Sequence, residues 1–571
     1  MAEQEAHFPL SSWTLAGFRA IKERTTFTLD GLNILVGENS AGKSSVLQSI
    51  LLAAQTLATP MADRPLVLNG PLVRLGLPED CVHVETGREL TIGFGLSPSR
   101  EDLDRPMMSD LALIDLDLVF AIARDQQANF EISSAKVTAK SREDAVLHLD
   151  IGTRTPQQAI EAMLANGASE ELAQQWALAA GFAVSGDVPE KTIGSLATQF
   201  LPETLIVLRN AHRRELRLLT ESLRPRPAGR IGATRGRRRE GLITPQVTSL
   251  IHSYLAHLDV SPDVLDTIPE DGPWDVEALH RLPAEQQFQL AASNRDPWFV
   301  EQLDELEFSA EVIPEPIGGP LGDGLSLARR WFAKNVRHLG PLRAAPQPLY
   351  ALPEAASGMS VGPSGEYTAS VLSAYGKHRW NVPLPDGHIR ACPLGVSVDK
   401  WMAELGLLAR VRSTEQGKLG YELSVSVEGV DRDLDLTTVG VGVSQALPIV
   451  VLGLIAERGS LLLFEQPELH LHPDVQAALG DFFLALVKAG RQVVLETHSE
   501  YLINRLRRRQ AVDETSGPAD LVRLFFFERS GSEAKVTPAR IGRDGSMPGW
   551  PRGFLDTAAR EAKAIALRSD T

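Results

Sequence analysis

The sequence of 571 residues predicts an α/β fold in which a parallel-sheet domain is assembled from both ends of the chain and a mostly helical insert separates its halves. Three observations predict it. An apolar strand near the N-terminus runs into a glycine-bearing loop and then a helix. A second apolar strand, near the other end, stops on a glutamate. Strands and helices alternate around that second strand, as they do where helices cover the faces of a parallel sheet.

Taken in order, strand-like alternation marks residues 13–18, 25–29 and 32–36, and a helix follows over 43–56 with Val46, Leu47, Ile50, Leu51 and Ala54 on one face. Residues 90–96, 111–123, 130–140 and 146–151 read as further strands, antiparallel and joined by short turns, which completes an N-terminal half over 1–152. From 153 to 335 the period is mostly helical, at 159–166, 170–180, 203–223 and 245–258, with proline and glycine interruptions and no repeat. The C-terminal half, 336–540, carries a strand at 421–427, a helix at 444–456, the apolar strand at 461–464, a helix at 473–488 and a strand at 492–496. A tail occupies 541–571.

The bulk properties narrow the function. A net charge of −16 argues against a protein that coats nucleic acid with a uniformly basic surface, though a local basic patch remains compatible with it. Cys81 and Cys392 are the only cysteines, too few for a disulfide framework or a cysteine-rich zinc site, and they fit a reducing compartment. The first residues lack a basic segment followed by an apolar one, and the most apolar stretch, 447–456, is too short to span a bilayer. The expectation is a cytoplasmic protein with no membrane contact.

Gly37, Glu38, Asn39, Ser40, Ala41, Gly42, Lys43 and Ser44 fit the phosphate-loop pattern at every fixed position, between a strand and a helix. The glycines let successive N–H groups turn inward onto phosphate oxygens, and the helix N-terminus, with Ser45 in its first turn, adds a favourable dipole. Lys43 is expected to reach the β- and γ-phosphates of ATP, and the Ser44 hydroxyl to sit on Mg²⁺. Glu465, at the tip of the apolar strand, is the candidate for the carboxylate that holds Mg²⁺ beside such a loop. His470 and His472 sit two apart, as two metal ligands on an extended segment could, but no cysteine or third histidine lies nearby in sequence. The plainer reading is that they shape a contact after the acidic strand. His498, in Glu496-Thr-His-Ser, closes the next strand and faces the ligand crevice, where it would sense the γ-phosphate unless it is a structural histidine.

Together these residues resemble a known family. The phosphate loop, the segment Val439-Gly-Val-Gly-Val-Ser-Gln445, the run Glu465-Gln-Pro-Glu-Leu-His-Leu-His-Pro473 and Thr497-His-Ser499 stand in the order seen in ABC-type ATPase heads. They are most similar to the prokaryotic branch that contains the overcoming-lysogenization-defect ATPases and relatives of the SMC and RecF heads. Leu339-Gly-Pro-Leu-Arg343, Val361-Gly-Pro-Ser-Gly-Glu366 and the tail around Trp550-Pro-Arg-Gly-Phe554 look typical of one such subfamily, which ends in a domain of unknown function. The resemblance covers residues 10–90 and 335–560 and implies a head-to-tail dimer, in which Gly442, Ser444 and Gln445 cap the γ-phosphate held by a partner copy. It also implies a catalytic glutamate directly after the magnesium acid. This chain has Gln466 there, which can orient water but not take its proton, so Glu468 is the substitute candidate and hydrolysis is expected to be slow.

The insert carries eleven arginines between Arg209 and Arg239, Arg235, Arg237, Arg238 and Arg239 among them, against two glutamates. Such a stretch suits DNA or RNA phosphate, an acidic partner surface, or plain solvation, and no interleaved aromatics support base stacking. The leading expectation is therefore an ATPase that pairs around ATP and controls a separate effector, a nuclease or toxin, in antiviral defence, a step that rests on the resemblance. The alternatives are a DNA-repair or chromosome-maintenance clamp acting on DNA itself and, third, a transporter's nucleotide-binding subunit.

Overall fold

The computed structural model describes residues 8–548, 561 and 565, apart from 60–63, 100–101, 103–109, 124–128, 178–181, 224–243, 259, 263–281, 307–308, 351–359, 408–409, 427–431 and 513–519. The chain divides into two compact units, Met1–Asp150 with Thr198–Leu201 and Gly318–Thr571, and Ile151–Ala197 with Pro202–Ile317.

The first unit is organised by a sheet whose strands lie in the order Val336–Leu339, Leu461–Glu465, Gln492–Glu496, Leu32–Gly37, Val522–Ser530, Glu533–Ala539. The first five run parallel and only the last is antiparallel. Leu461 to Phe464 and Val493 to Leu495 are wholly buried, which is why these strands read as unbroken apolar runs rather than as alternation. Because the strands are parallel, their C-terminal ends share one edge, the side on which such sheets bind ligands. The strand Gln492–Glu496 lies between the loop strand and the acidic strand, with Glu465 in register with Glu496.

Helices cover this sheet. Val441–Ile455 is apolar all round and buried from Val443 onward, so it is a core helix. Among the described residues no helix is long and apolar enough to cross a membrane. Phe482 and Phe483 of the helix Pro473–Lys488 pack against Trp401 and Phe464 at ring distances of 5.0 and 5.1 Å. A second sheet includes, in order, Thr25–Thr28, Leu10–Ala16, Glu89–Leu96, Leu111–Ile122, Phe130–Ser141 and Val146–Thr153, antiparallel from the first through Phe130–Ser141, and these are strands expected from alternation. Gln492 ties the two sheets by donating to Leu10 O and Asp30 O and accepting from Leu10 N.

Two expectations change. The helix Gly319–Asn335, within the stretch 153–335 expected as the insert, packs in the first unit: Phe332 stacks edge-on with Phe94 at 4.8 Å, and Trp331 donates to Gly459 O. Gly324 makes the close approach possible, since a Cβ there would lie 2.3 Å from Ile114 Cδ1. Residues 203–223, expected as one helix, form the strand Leu201–Asn210 and then the helix Ala211–Leu223. The run Leu205-Ile-Val-Leu208 is uniformly apolar and carries no period of its own, and pairing with Ala310–Pro316 decides it. The second unit thus combines helices with a three-stranded sheet, and a cluster around Val247, Ile251, Leu255, Leu290 and Phe299 forms a core of its own.

Three arginines of the basic stretch are paired. Arg209 makes a two-point bridge to Glu315 at 2.8 Å, Arg213 pairs with Asp304 and Arg214 with Glu311. Arg235, Arg237, Arg238 and Arg239 lie outside the described residues, as does the Trp550–Phe554 motif of the tail.

Candidate functional site

The loop strand ends on Gly37, with φ 143°, where a Cβ would stand 2.1 Å from the Phe527 carbonyl oxygen of the adjacent strand. Only glycine fits against that backbone. Ser40 and Gly42 also take left-handed φ, 58° and 97°, and turn the chain into the helix Lys43–Ala58, which no side chain caps. Its first N–H groups are therefore presented to the loop, an anion-binding arrangement. Glu38, Asn39 and Ser40 are exposed, while Ala41 and Ser45 are buried and anchor the turn. Lys43, 3% exposed, folds back so that Nζ donates to the carbonyls of Gly37 (3.2 Å) and Glu38 (2.7 Å). Burial lowers its pKa, against the opposing pull of Glu496, Glu468 and Glu38.

The acids gather at the neighbouring strand tips. Ser44 Oγ donates to both carboxylate oxygens of Glu496, at 2.8 and 3.1 Å. Burial pushes the Glu496 pKa up to about 7, with Glu465 and Glu468 adding to it and Ser44 and Lys43 opposing. Glu465 instead bonds His338 Nε2 at 2.8 Å. Ser44, Glu465 and Glu496 thus offer the hard oxygen donors that magnesium takes, and a cation there would favour the charged form of Glu496. Sequence reasoning missed Glu496 and His338. The signal for Glu496 was present, a carboxylate closing a buried strand, but strand order, which puts it beside Ser44, is not visible in one sequence.

Gln466 follows Glu465 in the left-handed region, φ 43°, its N–H donating to Glu496 O. Glu468 Oε1 accepts from the His498 N–H at 2.6 Å, while its Oε2 is buried without a partner. Burial raises the Glu468 pKa, and burial followed by Lys43 lowers that of His498. Ser499 turns to the next helix, its Oγ accepting from Leu502 N.

The remaining candidates stand apart from this cluster. Ser444 is buried and its hydroxyl donates to Val441 O one turn back, in the same first turns as Gln445. Gly442 lies against Leu471 and His470 O, so this helix begins beside the segment that follows the acidic strand. His472 caps the helix Pro473–Lys488 by accepting from Asp474 N, and no group of three metal-ligating side chains occurs among the described residues. His472 therefore has a structural use.

Two family models match parts of the chain. One, described as AAA ATPase domain, matches residues 403–503, and one described as a protein of unknown function (DUF2813) matches residues 9–60. Among solved structures the chain is similar to the Smc head domain with a coiled coil and joint from Pyrococcus yayanosii (9% identity, 98% of this chain and 100% of that chain, TM-score 0.35). It is also similar to the Smc head domain with an extended coiled coil bound to the C-terminal domain of ScpA, from Pyrococcus furiosus (9%, 98% and 100%, 0.33). A third is the SMC head domain from Thermotoga maritima (7%, 93% and 98%, 0.32). Scores of this size carry no weight by themselves, and the fold rests on the sheet order above. A comparison with curated proteins found no match. The AAA ATPase match at 403–503 and the strand–loop–helix around Lys43 support reading the first unit as an α/β domain of the ATP-binding type.

Proposed function

We propose that the chain binds ATP with Mg²⁺ at Gly37–Ser45, pairs with a second copy around the nucleotide, hydrolyses it slowly, and through that pairing controls a separate effector. The observation that carries the reading is the convergence of Lys43 and Ser44, from one end of the chain, with Glu465, Glu468 and Glu496 from the other, at one edge of the parallel sheet.

The chemistry follows from the residues. The loop N–H groups and the helix start hold the phosphates, and Lys43 exchanges two loop carbonyls for phosphate oxygens. Ser44 with Glu465 and Glu496 would hold Mg²⁺, which neutralises phosphate charge when bound. Gln466 can orient the attacking water through its amide, and the oxygen of Glu468 left without a hydrogen-bond partner supports its reading as the group that accepts the proton. His498 is held to Glu468 through its backbone N–H, which supports reading the two as parts of one site. Gly442, Ser444 and Gln445 lie at the start of a helix by the segment after the acidic strand, a place from which they would serve a partner's nucleotide. Control of a nuclease or toxin in antiviral defence is the part that rests on the resemblance to overcoming-lysogenization-defect ATPases.

Lys43→Ala tests the site. It removes the mobile cation the loop supplies, and direct titration is expected to show ATP binding weakened by at least about tenfold, the scale of one charge-assisted contact. Undiminished affinity in that variant would overturn the assignment.

A further inference from the structure

Leu339-Gly-Pro-Leu-Arg343 has no part in the site described so far, yet it holds a costly polar arrangement. Arg343 is 8% exposed. Its Nη1 donates to the carbonyls of Pro341 at 2.8 Å and Gln466 at 3.0 Å. Its Nε and Nη2 are buried and have no hydrogen-bond partner. Buried polar groups are nearly always satisfied, and a charged one left open costs more than a neutral one. Neither neighbouring acid fills the place. Glu465 is engaged with His338, and Glu468 turns one oxygen to the His498 N–H and leaves the other unpartnered. Both act on Arg343 only through space. Burial lowers its pKa to about 10, so the guanidinium stays charged at neutral pH.

Its position says what the open edge meets. Arg343 follows the C-terminal end of Val336–Leu339, which pairs in parallel with the acidic strand, Leu339 opposite Phe464. It therefore sits at the ligand-binding edge of the sheet, on the far side of the acidic strand from the phosphate loop. Glu468 is near enough to act on both cations, opposing the burial that lowers the pKa of Lys43 and of Arg343. An anion with its near phosphates in the loop would, on this strand order, extend toward Arg343 if it reached across the acidic strand. A guanidinium edge with adjacent N–H groups matches two oxygens of one phosphate, which an ammonium cannot do.

We propose that Arg343 is a second phosphate-binding cation of this site, whose open Nε–Nη2 edge takes oxygens of the terminal phosphate of a nucleoside triphosphate. The inference rests on the ATP reading above and adds to it the means of telling triphosphate from diphosphate. Because Nη1 already holds the carbonyl of Gln466, occupancy of the other edge would also be felt at the residue next to the magnesium acid.

Direct binding titrations with ADP and with a non-hydrolysable β,γ-imido triphosphate test it, on wild type, Arg343→Gln, Arg343→Lys and Lys43→Ala. Arg343→Gln is expected to weaken the triphosphate by about tenfold to a hundredfold, the range for a charged hydrogen bond, and to leave ADP within about twofold. Arg343→Lys, which keeps the charge and loses the paired N–H groups, is expected to fall between. Equal losses for both nucleotides would reduce Arg343 to a prop for the Gln466 carbonyl and overturn the proposal. No loss for either would mean that water satisfies the open edge, and would overturn it too. If Arg343→Gln does not fold, the lysine variant decides: a loss confined to the triphosphate supports the proposal, and its absence sinks it. Lys43→Ala separates the two claims. If it binds both nucleotides like wild type, the site assignment itself fails. If it loses both while Arg343→Gln changes nothing, only the inference does.

Discussion

On the proposed reading, Gln466 and Glu468 would divide between them what one glutamate is expected to do in the family the sequence resembles. The amide of Gln466 can hold a water by donating and accepting, but it has no site for a proton at neutral pH. Glu468 has the opposite profile: one oxygen fixed by the His498 N–H, the other buried without a partner, and a pKa raised by burial. Glu468→Gln is therefore expected to lower kcat by about 10²–10⁴-fold, the usual worth of a general base. Gln466→Glu is expected to raise it, since it restores a carboxylate next to the magnesium acid. Steady-state phosphate release measures both. Turnover unmoved by either change would shift attention to Glu496, whose substitution alone is ambiguous because it also contacts Ser44.

At the scale of elements, the parts whose chemistry is local were legible and those set by pairing were not. The loop strand, its helix and the acidic strand follow from pattern and turn residues, and the antiparallel strands from alternation. The strand at Leu201–Asn210 was hidden because four consecutive apolar residues fit either period. Glu496 and His338 were hidden for a different reason, since each acts through a neighbouring strand. Arg491 illustrates the same limit. A lone arginine before the strand Gln492–Glu496 reads as a surface charge, yet it is 4% exposed and donates to Ala456 O, Ala489 O and Asn381 O. It thereby closes the C-terminal ends of two core helices, Val441–Ile455 and Pro473–Lys488, onto the strand Arg379–Pro383. Burial pulls its pKa down to about 10, and it remains charged. Arg491→Met keeps much of the volume and strands three carbonyls, so urea unfolding is expected to show a loss of about 3–5 kcal/mol, as for other broken buried charge networks. A loss below about 1 kcal/mol would mean that water replaces the guanidinium.

For the molecule as a whole, the question is why the helix start at Ser444 is separated from the loop that holds the phosphates. Ser444 Oγ is satisfied within its own turn, and Gly442 packs beside His470 and Leu471, not beside Gly37. A helix N-terminus left with free N–H groups favours an anion, and in this chain the anion's loop lies elsewhere. On the proposed reading, pairing of two copies would reconcile the two, because each would supply the helix start that completes the other's site. Val441, at the first position of that helix, and Leu342, beside Arg343, are 50% and 78% exposed, apolar surface that such pairing would cover. Adding ATP or its β,γ-imido analogue is then expected to convert wild type to a dimer in sedimentation, and ADP, which lacks the phosphate that bridges the copies, is not. Ser444→Arg places a long side chain where the γ-phosphate would be met and is expected to stay a monomer with the analogue, while the single-chain part of nucleotide binding persists because Lys43 is untouched. Identical sedimentation of the two proteins would remove the support for pairing around ATP, and a variant that lost nucleotide binding altogether would place Ser444 in its own chain's site.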